Sequence, residues 1–204
     1  MMKLYYSPGA CSLSPHIALR EAGLSAEYVK VDLGGKKLDN GEDYRGINPK
    51  GYVPALELDD GQLLTEGPAI VQYLADRVPE KQLAPPAGSM ARYRLMEWLN
   101  YISTELHKGF GALFNSTAPE AWKSVVKERL AERLQYVSGE LGDNPFLMGE
   151  KFTVADGYLF TVLSWGPHVG IDISRWPTLA TYVSRVASRP AVHAALVEEG
   201  LLKE

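Results

Sequence analysis

The chain changes character near residue 79, and that change limits the folds open to it. Up to that point short β-rich runs alternate with helical ones. Beyond Pro79-Glu80-Lys81-Gln82-Leu83-Ala84-Pro85-Pro86-Ala87-Gly88-Ser89, helical patterns stand almost alone. A stretch with three prolines and a glycine reads as an extended linker. At 204 residues the chain is long enough for a core on each side of it. The expected organisation is a first domain over residues 1–80, a linker over 81–89 and an all-helical domain over 90–204.

The first part predicts a strand at Lys3-Leu4-Tyr5-Tyr6 and a helix over residues 12–22, with Pro15 tolerated in its first turn and Gly23 suited to a left-handed end. Residues 26–33 alternate in the β manner and complete a βαβ unit, whose strands should be parallel with a right-handed crossover. Residues 53–58 and 62–64 then flank Asp59-Asp60-Gly61 as a hairpin, and a helix over 68–78 follows. The product is a small mixed sheet with helices on it, a pattern that several α/β folds satisfy.

In the second part Leu95, Leu99, Ile102 and Leu106 recur at helical spacing within a predicted helix over 90–114. Asn100, Thr104 and His107 lie on its other side, which suits either solvent or the wall of a cleft. A long helix is expected over 119–141, and another opens at Thr153-Val154-Ala155-Asp156, a threonine cap with a carboxylate three residues on. Thr153 and Asp156 are therefore assigned to folding. Phe152 finds Gly157 where a hydrophobic staple needs an apolar partner. Helices over 177–187 and 190–199 finish the chain.

Composition narrows the partners. A formal charge of −4 argues against a nucleic-acid surface, and 46% apolar with 23% charged residues is ordinary for a soluble globular protein. No run approaches the roughly 20 apolar residues of a membrane span, and the first residues lack a signal-peptide core, so a cytoplasmic protein is expected. One cysteine and four scattered histidines show no metal-ligand spacing, and no metal is expected. That cysteine, Cys11, falls where the first strand gives way through Ser7-Pro8-Gly9-Ala10 to a helix. Free N–H groups and the helix dipole favour a thiolate there, although a free cysteine can equally be a small buried hydrophobe.

The run Lys3-Leu4-Tyr5-Tyr6-Ser7-Pro8-Gly9-Ala10-Cys11-Ser12-Leu13-Ser14-Pro15-His16 is joined by Asn48-Pro49-Lys50-Gly51-Tyr52-Val53-Pro54-Ala55-Leu56, Leu64-Thr65-Glu66-Gly67-Pro68-Ala69-Ile70 and Phe152-Thr153-Val154-Ala155-Asp156. Together with Glu105-Leu106-His107-Lys108 and the terminal Glu199-Gly200-Leu201-Leu202-Lys203-Glu204, these resemble a bacterial beta-class glutathione S-transferase. The resemblance implies an α/β thioredoxin-like N-terminal domain, an all-α C-terminal domain, a homodimer, and glutathione bound as co-substrate between the domains.

It also implies roles. Val53 would offer its backbone to the cysteinyl part of glutathione beside a cis Pro54, although a trans proline at a strand start is the plain reading. Glu66 and Gly67, ahead of a helix opened by Pro68, would meet the ligand's ammonium and α-carboxylate. Lys36, by default a solvated loop charge, is similar to the family's ligand for the glycine carboxylate. Asn100, Thr104, Glu105, Leu106 and His107 match the helix segment that completes the pocket, with Cys11 and His107 catalytic. Tyr6 or Ser12 could activate the thiol instead, as hydroxyls do in other classes. Tyr6, Phe114 and Trp165 are candidates for the co-substrate pocket, unless these aromatics are core.

The implied activity is conjugation of glutathione to small electrophiles, apolar or aromatic, as in detoxification of xenobiotics, with thiol-disulfide exchange through Cys11 also open. Peroxide reduction, dehalogenation and non-catalytic storage of apolar ligands are the alternatives. A dithiol oxidoreductase is disfavoured because Cys11-Ser12-Leu13-Ser14 lacks the second cysteine.

Overall fold

The computed structural model describes residues 1–203. They fall into two compact units, one made of residues 1–84 and the residues from Arg189 onward, the other of Pro85–Ser188.

The first unit is built on a five-stranded sheet of order β3-β2-β1-β4-β5. Strand β1 (Met2–Tyr6) leads into helix α1 (Leu13–Ala22), and β2 (Ala26–Asp32) pairs with β1 in parallel, Leu4 opposite Tyr28. Helix α1 ends where expected, at Gly23 with φ 68°, and Leu24 N–H closes back onto Leu19 O at 3.0 Å. The predicted hairpin is β4 (Ala55–Glu57) and β5 (Leu63–Thr65), antiparallel to each other, with β4 antiparallel to β1. Gly61 takes φ 84° in the turn. Strand β3 (Lys37–Leu38) pairs antiparallel to β2 and has no counterpart in the sequence reading. Two residues are too few to show a period. Helix α2 (Gly67–Asp76) follows β5 and lays Ile70, Val71, Leu74 and Ala75 into the core with Leu4, Leu13, Ile17 and Leu56.

The division expected at residues 81–89 does not hold to the end of the chain, because helix α9 (Pro190–Glu198) packs on α1. Arg189 donates to both carboxylate oxygens of Glu21, at 2.6 and 2.8 Å. Buried Val192, Ala195 and Leu196 supply the apolar face.

The second unit begins with α3 (Met90–Tyr101), whose first turn is capped by Ser89 accepting from Arg92 N–H at 3.1 Å. Leu95, Leu99, Ile102 and Leu106 are all at most 1% exposed, so the predicted stripe is the buried face. The single helix expected over 90–114 is interrupted by a π-helical turn, Ile102–His107, before α4 (Lys108–Leu113). Lys108 N–H reaches back five residues to Ser103 O. Helices α5 (Glu120–Leu141), α6 (Val154–Leu163), α7 (Gly166–Val169) and α8 (Pro177–Ala187) complete the unit.

Thr153 and Asp156 form a capping box at the start of α6. The buried Asp156 carboxylate accepts from Leu147 N–H, Thr153 N–H, the Thr153 hydroxyl and the Tyr182 hydroxyl, at 2.8 to 3.0 Å. Burial still pushes its acid upward, against those bonds. Phe152 packs edge-on against Phe146 at 5.8 Å.

Candidate active site

Between β1 and α1 the chain turns through Ser7–Ser12, and backbone bonds hold that turn. Ala10 N–H donates to Ser7 O at 3.0 Å, and Ser12 Oγ both accepts from Ser7 N–H at 3.0 Å and donates to Ser7 O at 3.2 Å. Fully buried Ser12 is therefore a clasp for the loop, not a free hydroxyl waiting beside the thiol. Gly9 adopts φ 70°, and its N–H donates to Glu199 at 2.8 Å. The other carboxylate oxygen of Glu199 meets His16 Nδ1 at 2.9 Å, while His16 Nε2 meets Glu198 at 2.8 Å. Both ring nitrogens of this buried histidine thus face carboxylates, and Arg20 pairs with Glu198 on the outer side. Tyr6 packs within this cluster, its ring 6.2 Å from His16 and 6.3 Å from Tyr28, and burial raises its phenol. Its ring is held by these two neighbours.

Cys11 is half-buried, and its thiol donates to Val53 O at 3.1 Å. Val53 precedes a cis bond to Pro54, and its carbonyl is the group expected to receive a ligand. Below it the loop is braced at Tyr52 O, which accepts from Tyr44 Oη at 2.9 Å and Asn48 Nδ2 at 2.7 Å. Burial pushes Tyr44 up to about 12, so it remains a hydroxyl donor.

Lys36 and Glu66, expected to meet the two ends of a peptide-like ligand, share a backbone peculiarity. Both have positive φ, 54° and 69°, which non-glycine residues adopt uncommonly and which concentrates at functional positions. Lys36 donates to Gly51 O at 3.0 Å and lies 5.9 Å from the Tyr52 ring. Glu66 is exposed and accepts from Lys50 at 2.6 Å, and Gly67 begins α2 beside it with Pro68 in the first turn. Cys11, Lys36, Val53, Glu66 and Gly67 thus belong to one unit.

In the other unit the predicted segment runs along α3 and the π turn. Asn100 and Thr104 are exposed, with the Thr104 hydroxyl donating to Asn100 O at 3.1 Å. Glu105 accepts from Arg133 Nε at 3.2 Å. Leu106 has no exposed surface, so its side chain belongs to the core, not to a ligand wall. His107 ends the π turn with Nδ1 2.6 Å from Tyr158 Oη. Trp165, 7% exposed, stands edge-on to His107 at 4.9 Å and to Phe114 at 6.1 Å, and Phe114 is itself exposed. His107, Phe114 and Trp165 are one aromatic group. Among the described residues no three His, Cys, Asp or Glu side chains gather as a metal site, and no helix is long and apolar enough to cross a membrane.

Models of the glutathione S-transferase N-terminal and C-terminal domains match residues 9–77 and 101–190. The chain belongs to the glutathione S-transferase family. It is similar to glutathione S-transferase GstA of Escherichia coli O157:H7, 54% identical over 200 residues, with 98% of this chain and all of that one covered. A beta-class glutathione S-transferase from Sphingomonas chungbukensis has a TM-score of 0.94 and 48% identity, covering 98% of this chain and 100% of its own. A sphingomonad glutathione S-transferase complexed with glutathione gives the same values.

Two positions in this glutathione S-transferase had no role in the sequence reading and prove to hold the expected site residues. Glu199 anchors the Cys11 loop through Gly9, and Tyr158 bonds His107. Both partnerships are long-range, over 190 and 51 residues, so no local period or motif announces them.

Proposed function

We propose that the protein conjugates glutathione to small apolar or aromatic electrophiles in the cytoplasm, as a detoxifying enzyme acting on xenobiotics. Membership of the glutathione S-transferase family along nearly the whole chain carries this reading, and the glutathione-bound sphingomonad relative supports glutathione as the co-substrate.

The γ-glutamyl ammonium pairs with Glu66, its α-carboxylate meets Gly67 N–H, the glycine carboxylate meets Lys36, and Val53 holds the cysteinyl amide. Asn100, Thr104, Glu105 and the backbone at Leu106 complete the binding set. His107 and the helix N–H groups stabilise the thiolate, which attacks the electrophile oriented by Phe114 and Trp165. In the free protein the Cys11 thiol uses the Val53 carbonyl. A ligand amide taking that carbonyl would release the thiol.

This release favours a second reading, thiol-disulfide exchange. The Cys11 thiolate attacks one sulfur of glutathione disulfide, the S–S bond breaks, and a mixed disulfide and a glutathione thiolate result. The domain boundaries follow the units described above, and two chains associate as a homodimer. The exposed side chains of Met90, Tyr93 and Met96 along α3 support that association.

Steady-state turnover of a chromogenic aryl halide with glutathione tests the conjugation reading, with Cys11→Ser alongside. Saturable turnover is expected. Apolar ligands bound tightly with no product would overturn it in favour of a storage protein. Mass spectrometry after incubation with glutathione disulfide should find one glutathione on Cys11.

A further inference from the structure

The geometry points to Tyr158 as a positioning residue that fixes the tautomer of His107, with the ring proton on Nε2, so that the imidazole donates a hydrogen bond to a sulfur anion and does not act as the base that deprotonates a thiol. The inference rests on the proposed role of His107 and specifies its chemistry.

Acidity and basicity give the direction. The Tyr158 oxygen lies 2.6 Å from His107 Nδ1, within hydrogen-bond distance. A phenol hydroxyl has one proton to donate, and an imidazole lone pair accepts more strongly than a phenol oxygen. Tyr158 therefore donates and Nδ1 accepts. In a neutral imidazole the remaining proton must then be on Nε2.

The surroundings hold this arrangement. Tyr158 is 2% exposed and sits on α6, whose residues are buried along its whole length. His107 closes the π turn, fixed by the reach of Lys108 N–H to Ser103 O. Its ring is edge-on both to Tyr158, at 5.9 Å and 81°, and to Trp165, at 4.9 Å and 67°. Turning the ring over would set a carbon, not Nδ1, against the hydroxyl. A neutral donor with its position fixed in advance is suited to stabilising a thiolate without reorganisation.

The protein has four histidines, so nitrogen-proton correlation spectra of the 15N-histidine-labelled enzyme can resolve each ring, with His107→Gln assigning one set. The expected wild-type spectrum shows His107 neutral with its proton on Nε2. Tyr158→Phe keeps the ring and removes the hydroxyl. It should mix the tautomers and lower kcat for an aryl halide by roughly tenfold or more. KM for glutathione should stay within about twofold, as expected for an interaction that matters in the transition state. A wild-type ring protonated on Nδ1 would overturn the inference, as would a folded Tyr158→Phe enzyme with unchanged tautomer and kcat. Should that variant not fold, the wild-type spectrum still decides. Full activity in His107→Gln would instead remove the role of His107 itself, whichever tautomer the spectrum shows.

Discussion

In the first unit the residues expected to touch glutathione sit on loops, held by backbone hydrogen bonds and left-handed residues. In the second they sit on a helical rod held by apolar packing. Cys11 is placed by a turn clasped at Ser12 and Glu199, and Lys36 and Glu66 by positive φ angles. His107 is placed by the buried stripe beneath it and by Tyr158 and Trp165 against its ring. Loops fixed by polar bonds present backbone N–H and C=O groups, the kind that a peptide-like ligand would pair with. Packed helices offer aromatic surface and an oriented imidazole. The two kinds of support should fail differently.

The largest effect is expected at the hub of the second unit. Asp156→Ala strands the buried donors of Leu147, Thr153 and Tyr182, and should cost roughly 3–5 kcal/mol of stability. Urea unfolding measures it. A loss below about 1 kcal/mol, the level of a surface change, would mean that this cap is not what holds the rod.

Next comes the polar clasp of the first unit. Glu199→Ala leaves Gly9 N–H and His16 without their shared carboxylate and should cost about 2–4 kcal/mol. It should also change the rate at which iodoacetamide modifies Cys11, which Asp156→Ala, in a still-folded protein, should not. If both variants left that rate alone, the loop would be held by Ser12 and its backbone bonds without the tail.

Glu66→Ala separates binding from folding within the first unit. Calorimetry should show glutathione affinity falling by about 1.5–3 kcal/mol, the range for a charge-assisted hydrogen bond, with the urea midpoint unchanged. Unchanged affinity in the folded variant would remove the ammonium assignment.

The smallest effect is alkaline. Tyr44 is held at about 12 while an unfolded tyrosine titrates near 10. The unfolded chain therefore loses its proton first as pH rises. Stability is intact below about pH 10 and falls through the window toward 12, by at most about 1.4 kcal/mol per pH unit for one group. Tyr44→Phe should flatten that slope in urea unfolding carried out between pH 9 and 11.5. An identical slope would place the titration elsewhere, with Tyr5 and Tyr182, both raised by burial, as the next candidates.

What the sequence made legible follows the range of the interactions. The βαβ unit, the Asp59-Asp60-Gly61 hairpin, the Leu95-Leu99-Ile102-Leu106 stripe and the Thr153 cap rest on neighbours within a few residues, and local patterns report them. The π turn leaves the spacing of that stripe undisturbed, so a single helix over 90–114 was the natural reading. The return of α9 to the first unit depends on Arg189 meeting Glu21 and on Glu198 and Glu199 meeting His16, charges far apart in the chain. Candidate site residues stood out where they carried a reactive atom, as in Cys11 and His107. The groups that aim them, Glu199 and Tyr158, looked like an ordinary helix-end acid and an ordinary core aromatic.

The Gly9 to Glu199 bond joins residues 190 positions apart, and that distance has a meaning during synthesis. At about 5–20 residues per second, roughly 10–40 seconds separate the appearance of the loop from that of the carboxylate that anchors it. The nascent chain therefore carries its one thiol on a loop that lacks this anchor while the whole helical unit is being made. The Cys11 loop is made long before the carboxylate that anchors it, and so it is among the last parts of the fold to be finished.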